Sequence, residues 1–232
     1  MPNMKVAIGV DIGGTNTVFG LVDEQGNCLV QQSIKTKDFP DPENFVAVLS
    51  AKLKELIASE KNLTVIGLGV GAPNGNYYTG TIDFAPNLNW KGVVPLVQLF
   101  EKHFPFPVVL TNDANAAAIG ERIYGAAKGI DDFVMVTLGT GLGSGFVVNG
   151  NLVYGHDGFA GELGHTIVEK NGRECGCGRK GCLETYASAS GIVRSAKEFL
   201  VNSGGSLLAD LKELSSKSIA DAALKGDALA LE

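Results

Sequence analysis

The sequence has 232 residues, 45% hydrophobic and 19% charged, enough apolar material for one large or two small domains with packed cores. Its 19 basic and 25 acidic side chains leave a net charge of −6, which offers no cationic field to phosphate backbones or anionic lipid and excludes generic nucleic-acid or membrane-surface binding. No run approaches the roughly 20 apolar residues of a bilayer span, and the short run Val6 to Val10 is broken by Asp11 before it resembles a secretory leader, so a cytoplasmic protein is expected.

The chain opens as strand, glycine turn, strand: Lys5 to Asp11, the loop Gly13-Gly14-Thr15-Asn16, then Thr17 to Val22, with a turn at 24–27 into a third strand through Ser33. Phe45, Val48, Leu49, Leu53, Leu56 and Ile57 then recur at helical spacing. Leu63 to Val70 reads as a short apolar strand, 72–90 as an Asn-, Gly- and Pro-containing loop, and Val94 to His103 as a second helix. A strand from Pro107 to Thr111 runs into Asn112-Asp113 and an alanine-rich helix. The logic then repeats: strand Phe133 to Leu138, glycine loop 139–145, strand Phe146 to Asn149, which suggests an internal duplication. Short strands are expected near Leu152 and Thr166, a helix from Tyr186 to Leu200 and a last helical pattern from Ile219 to Leu231, inside which the chain stops.

Four features carry chemistry. The two glycine loops suit nests of backbone N–H groups for phosphate oxygens; the first is not a dinucleotide fingerprint, because a strand and not a helix follows it. Asp113, where a strand meets a helix, fits either a plain N-cap or a carboxylate that orients and finally accepts a hydroxyl proton in phosphoryl transfer. His165 with Cys175, Cys177 and Cys182 makes a closed N/S set for a structural zinc ion, the glycines between the thiols letting so short a loop wrap round it. Glu162 and Glu184 flank that loop and suit the vicinal hydroxyls of a sugar, with Asn87 and Asn89 as further polar contacts; Cys28 stands apart as a small buried hydrophobe.

Together, Asp11-Ile12-Gly13-Gly14-Thr15-Asn16, Gly71-Ala72-Pro73, Asn112-Asp113-Ala114-Asn115, Leu138-Gly139-Thr140-Gly141 with Gly143 and Gly145, Glu162-Leu163-Gly164-His165 and the Cys175 to Glu184 segment resemble the ROK family of sugar kinases and sugar-responsive repressors, in the actin-like ATPase superfamily. The resemblance implies an α/β fold of two ribonuclease H-like domains around a cleft, 1–112 and 113–232, the second incomplete at its C-terminal end and lacking an adenosine motif. It implies ATP and Mg²⁺ at Asp11, Gly13, Gly14, Thr15, Asn16, Gly139, Thr140, Gly141 and Gly143, and Asp113 as the base. The hexose would be held by Gly71, Asn87, Asn112, Asp113, Glu162, His165 and Glu184, and structural Zn²⁺ by His165, Cys175, Cys177 and Cys182. A glucokinase acting as a homodimer is the expectation, with an N-acetylhexosamine kinase or a non-catalytic sugar sensor as alternatives. Asn74 and Ser144 stand where relatives commonly have glycine, and minor effects are expected of both.

Overall fold

The computed structural model describes residues 3–201 and 205–232. In chain order the elements are β1 (Met4–Ile12), β2 (Thr17–Asp23), β3 (Cys28–Ile34), α1 (Pro42–Ser59), β4 (Leu63–Ala72), β5 (Gly75–Asn76), β6 (Thr81–Asp83), β7 (Val93–Val94), α2 (Leu96–Glu101), β8 (Val108–Asn112) and α3 (Asp113–Tyr124). There follow β9 (Phe133–Leu138), β10 (Leu142–Val148), β11 (Asn151–Leu152), α4 (Glu184–Ala187), α5 (Ala189–Leu200), α6 (Ser216–Leu224) and α7 (Ala228–Leu231). The fold class is mixed α/β, as the sequence implies.

The residues form two compact units, one of Met1–Met135 with Gly145–Gly161, the other of Val136–Ser144 with Glu162–Glu232. In the first, a five-stranded sheet has the order β3-β2-β1-β4-β8, antiparallel through β3-β2-β1 and parallel through β1-β4-β8. Val6, Ile8, Val10 and Ile12 alternate along β1 into one core with Phe45, Leu49 and Leu53 of α1 and Leu96 and Phe100 of α2, as period-2 and period-3.6 patterns demand when their apolar faces meet. Asp41 starts α1 by accepting the N–H groups of Glu43 and Asn44, with Pro42 at the first helical position.

The division expected at 112/113 differs from this grouping. Helix α3 belongs with the first sheet, because Gly71 of β4 leaves room for it: a Cβ there would stand 3.3 Å from the Ala116 methyl and 3.5 Å from Asp113 Cα. A second sheet, β11-β10-β9, repeats the β3-β2-β1 order of the first. Strand β10 starts at Leu142, earlier than expected, so Gly143 lies in a strand and not in the glycine loop. No strand forms near Thr166; a 3₁₀ turn, Leu163–His165, and an isolated Ile167–Cys182 bridge stand there instead, and Cys28 is exposed and not buried, because it opens the edge strand β3.

The second unit has a small core of Ala196, Leu208, Ile219, Ala222 and Leu229. Both helices expected in it are interrupted. Ser188 separates α4 from α5 and caps the latter by accepting the Gly191 N–H; Gly226, with φ 83°, turns the chain before Asp227 caps α7.

Candidate functional site

Strand register assembles the first half of the site. Asp11 pairs with Gly71, Gly71 with Thr111 and Ala72 with Asn112, so the carboxyl ends of three parallel strands stand in a row, where open α/β sheets present ligand-binding groups. Asn112 takes the capping role, its Oδ1 accepting the Ala114 N–H at 2.9 Å. Asp113 is therefore not needed as a plain N-cap; its exposed carboxylate accepts the same N–H at 2.8 Å and sits in the positive field of the helix start. Desolvation and the nearby Asp113 carboxylate push the Asp11 pKa above the ordinary carboxylate range.

The first glycine loop is held in two ways. Gly13 spends its N–H on the Asn16 carbonyl at 3.0 Å, so it is not a spare donor, while Thr15 and Asn16 are exposed. Gly14 lies against the loop that carries Asn87: a Cβ on Gly14 would be 2.4 Å from the Asn87 carbonyl oxygen, a distance only glycine permits. That loop is anchored by Trp90, whose indole N–H donates to the Phe39 carbonyl at 3.0 Å and whose ring packs 4.9 Å from that of Phe45. Asn89 binds the Lys37 carbonyl and leaves the exposed Asn87 at the tip. Asn74 adopts φ 52°, the left-handed region that asparagine tolerates, and its side chain reaches the Asp83 carbonyl at 2.9 Å, which accounts for a non-glycine residue there.

In the second unit the other glycine loop meets its own polar partner. A Cβ on Gly141 would lie 2.7 Å from Glu184 Oε2, and the same oxygen is 3.4 Å from the Leu142 N–H. Gly139 is engaged on both sides, its N–H on the Gly141 carbonyl and its carbonyl on the Ala189 N–H, while the Thr140 carbonyl accepts from Ser190 Oγ. Ser144 does more than the sequence suggests: its buried hydroxyl accepts the Leu163 N–H at 3.1 Å and anchors the turn bearing Glu162 and His165.

His165 stands between two carboxylates, Nε2 facing Glu162 at 3.9 Å and Nδ1 facing Glu184 at 3.6 Å. Nδ1 also faces Cys175 Sγ at 3.6 Å, and Cys177 and Cys182 Sγ are 3.7 Å apart. The ligand atoms of His165, Cys175, Cys177 and Cys182 all lie within 4.8 Å of one another. A tetrahedron with Zn–S bonds of ~2.3 Å and Zn–N of ~2.1 Å has S···S edges of about 3.8 Å and S···N edges of about 3.6 Å, so the donors fit zinc in number, type and spacing. Burial raises the pKa of Cys175 and of Cys182; at Cys177 burial opposes ionisation, but hydrogen bonds from Arg179, Cys175 and Cys182 prevail and lower the thiol to about 6. A group Arg173, Thr185, Tyr186 and Ser195 braces this loop and carries no signal in residue spacing, since its members meet through a carbonyl, hydroxyls and a ring face that the fold brings to one guanidinium.

The profile of the ROK family matches residues 7–232. The glucokinase of Streptomyces coelicolor is 40% identical over 196 residues, covering 84% of this chain and 60% of the relative, so the chain spans less than two thirds of that protein's length. The glucokinase of Thermotoga maritima is 39% identical over 237 residues, covering 100% of this chain and 73% of the relative. A crystal structure of a ROK family glucokinase from Streptomyces griseus in complex with glucose and AMPPNP superposes with a TM-score of 0.78 at 38% identity, covering 97% of this chain and 73% of that one.

Proposed function

This chain belongs to the ROK family, and from that membership we propose that it serves the ATP-dependent phosphorylation of a hexose, foremost glucose to glucose 6-phosphate. The observation that carries the reading is the Asp113 carboxylate, exposed at the start of α3 with the capping role taken by Asn112. The glucokinase relatives support glucose as the acceptor.

In this reading Asp113 orients the sugar hydroxyl and accepts its proton as the hydroxyl oxygen bonds to the γ-phosphorus and the bond to ADP breaks. A weak base is sufficient, because the proton moves late in a loose transition state. Gly71, Asn87 and Asn112 would contact hexose hydroxyls in this reading, as would Glu162, His165 and Glu184. With Gly13 and Gly139 N–H groups spent inside their loops, phosphate contacts fall to Gly14, Thr15, Thr140 and Gly141. Asp11 would hold Mg²⁺, a charge that suits a desolvated carboxylate beside a second one and neutralises phosphate when bound. Zn²⁺ on His165, Cys175, Cys177 and Cys182 would fix the loop, and Nδ1 as the ligand leaves Nε2 on the side of Glu162. A cytoplasmic homodimer that acts on small molecules, without nucleic acid or membrane, completes the proposal. No helix among the described residues is long and apolar enough to cross a membrane.

The test is ADP release with MgATP and glucose, with N-acetylglucosamine and N-acetylmannosamine in parallel. Turnover confined to glucose is expected, and Asp113→Asn should lower kcat by about 10²–10⁴-fold while calorimetry still detects glucose. Turnover of an N-acetylhexosamine alone moves the acceptor class, and glucose binding without any turnover moves the chain to the sensors.

A further inference from the structure

Arg173 stands two residues before Cys175, and its side chain is only 10% exposed. One guanidinium nitrogen donates to the Thr185 carbonyl at 2.7 Å and the Gly191 carbonyl at 3.3 Å. The other donates to Ser195 Oγ at 2.9 Å and to the Glu198 carboxylate, which Arg194 also holds. The guanidinium carbon lies 4.4 Å from the centroid of the Tyr186 ring, and the Tyr186 hydroxyl accepts the backbone N–H of Arg173 at 3.0 Å. Its carbonyl accepts the Gly181 N–H at 2.8 Å, which closes the cysteine loop.

One residue is thus tied by N–H, carbonyl and guanidinium at once. Its partners begin at Thr185, next to Glu184, and end on α5; its loop partner Gly181 is next to Cys182. Charge-assisted bonds by a sheltered planar fork are the strong, geometrically demanding kind.

We propose that Arg173 is a positioning residue, a clamp that fixes the cysteine loop to α4 and α5 and so holds Glu184 and His165 in place for the sugar, whether or not the metal is bound. Its kinetic half rests on the hexose-kinase reading; its structural half does not.

The test compares the full chain with Arg173→Ala, zinc-loaded and after chelation. Amide hydrogen exchange over 174–186 should be about tenfold faster in the variant in both metal states, as loss of charge-assisted bonds predicts. Glucose KM should rise about tenfold while kcat and the ATP KM stay within about threefold. Arg173→Lys should recover little, because an ammonium cannot serve two carbonyls, a hydroxyl and a carboxylate while stacked on a ring. Unchanged exchange and glucose KM in folded Arg173→Ala would overturn the clamp. Should that variant fail to fold, Tyr186→Phe removes the hydroxyl partner and Glu198→Ala the carboxylate partner; about threefold shifts in the same directions support the clamp, and none in either refutes it. Faster exchange in a chain that turns over no sugar keeps the clamp and removes the kinase reading.

Discussion

Asp11, near the end of β1, is partly desolvated and feels the Asp113 carboxylate at the start of α3, and the fold holds it there at a cost in stability. Because the Asp11 pKa is raised on folding, the native chain takes up a proton there more readily than the unfolded one. The resulting destabilisation is present at neutral pH and fades as pH falls through the raised value. Asp11→Asn should therefore raise the thermal midpoint at pH 7, with about 2–4 °C for each kcal/mol relieved, and lower turnover by removing a proposed Mg²⁺ ligand. Melts from pH 4 to 8 check the sign: the gap between variant and parent narrows toward acid, and a constant gap would show that Asp11 charge is not its source. At the same scale Ser144 shows why an isolated hydroxyl is hard to read. Its value lies in the Leu163 N–H that the fold brings to it, a partner 19 positions away.

Among the elements, α1 separates capping from packing. Asp41→Ala should cost about 1 kcal/mol by leaving the N–H groups of Glu43 and Asn44 without the side-chain acceptor, whereas Leu49→Ala, at a fully buried position, should cost about 2–5 kcal/mol. Urea titrations of both variants measure the contrast, and equal losses would place the stability of α1 in its end and not in its face. Helix α1 was legible because its apolar period is unbroken and its N-cap precedes a proline. The helices after it were less so: apolar spacing runs on through Ser188 and Gly226, but a hydroxyl that caps Gly191 and a glycine at positive φ end the turns there. The start of β10 was missed for a related reason. Gly145 reads as loop, yet it is the strand residue that lets the backbone approach α3, since a Cβ there would lie 2.7 Å from the Ala118 methyl.

For the molecule as a whole, the two units rest on unequal foundations. The first has a large core spread over its sheet and helices; the second has, among the described residues, a core of five buried side chains and a loop whose donors fit zinc. Chelation or Cys177→Ser should therefore speed amide exchange in 162–187 while the amides of β1 and β4 keep their protection. Equal loosening in both units would show that the metal supports the whole chain. The sequence made each half of the site legible because glycine, carboxylate and thiol chemistry is concentrated in short motifs. What it hid was spacing between motifs: that Gly14 touches Asn87, and Gly141 touches Glu184, follows from loop paths and not from residue order.

The first of those contacts also bears on how the protein can change. With the Asn87 backbone carbonyl so close to Gly14, exchanging the side chain at 87 does not relieve position 14, and a side chain at 14 requires the loop bearing Asn87 to retreat. Gly14→Ala alone should raise the KM of both sugar and nucleotide. A library randomising 84–90 in that background should yield suppressors that reshape the loop while leaving alanine in place, so that under the proposed function the nucleotide and sugar contacts would change as one.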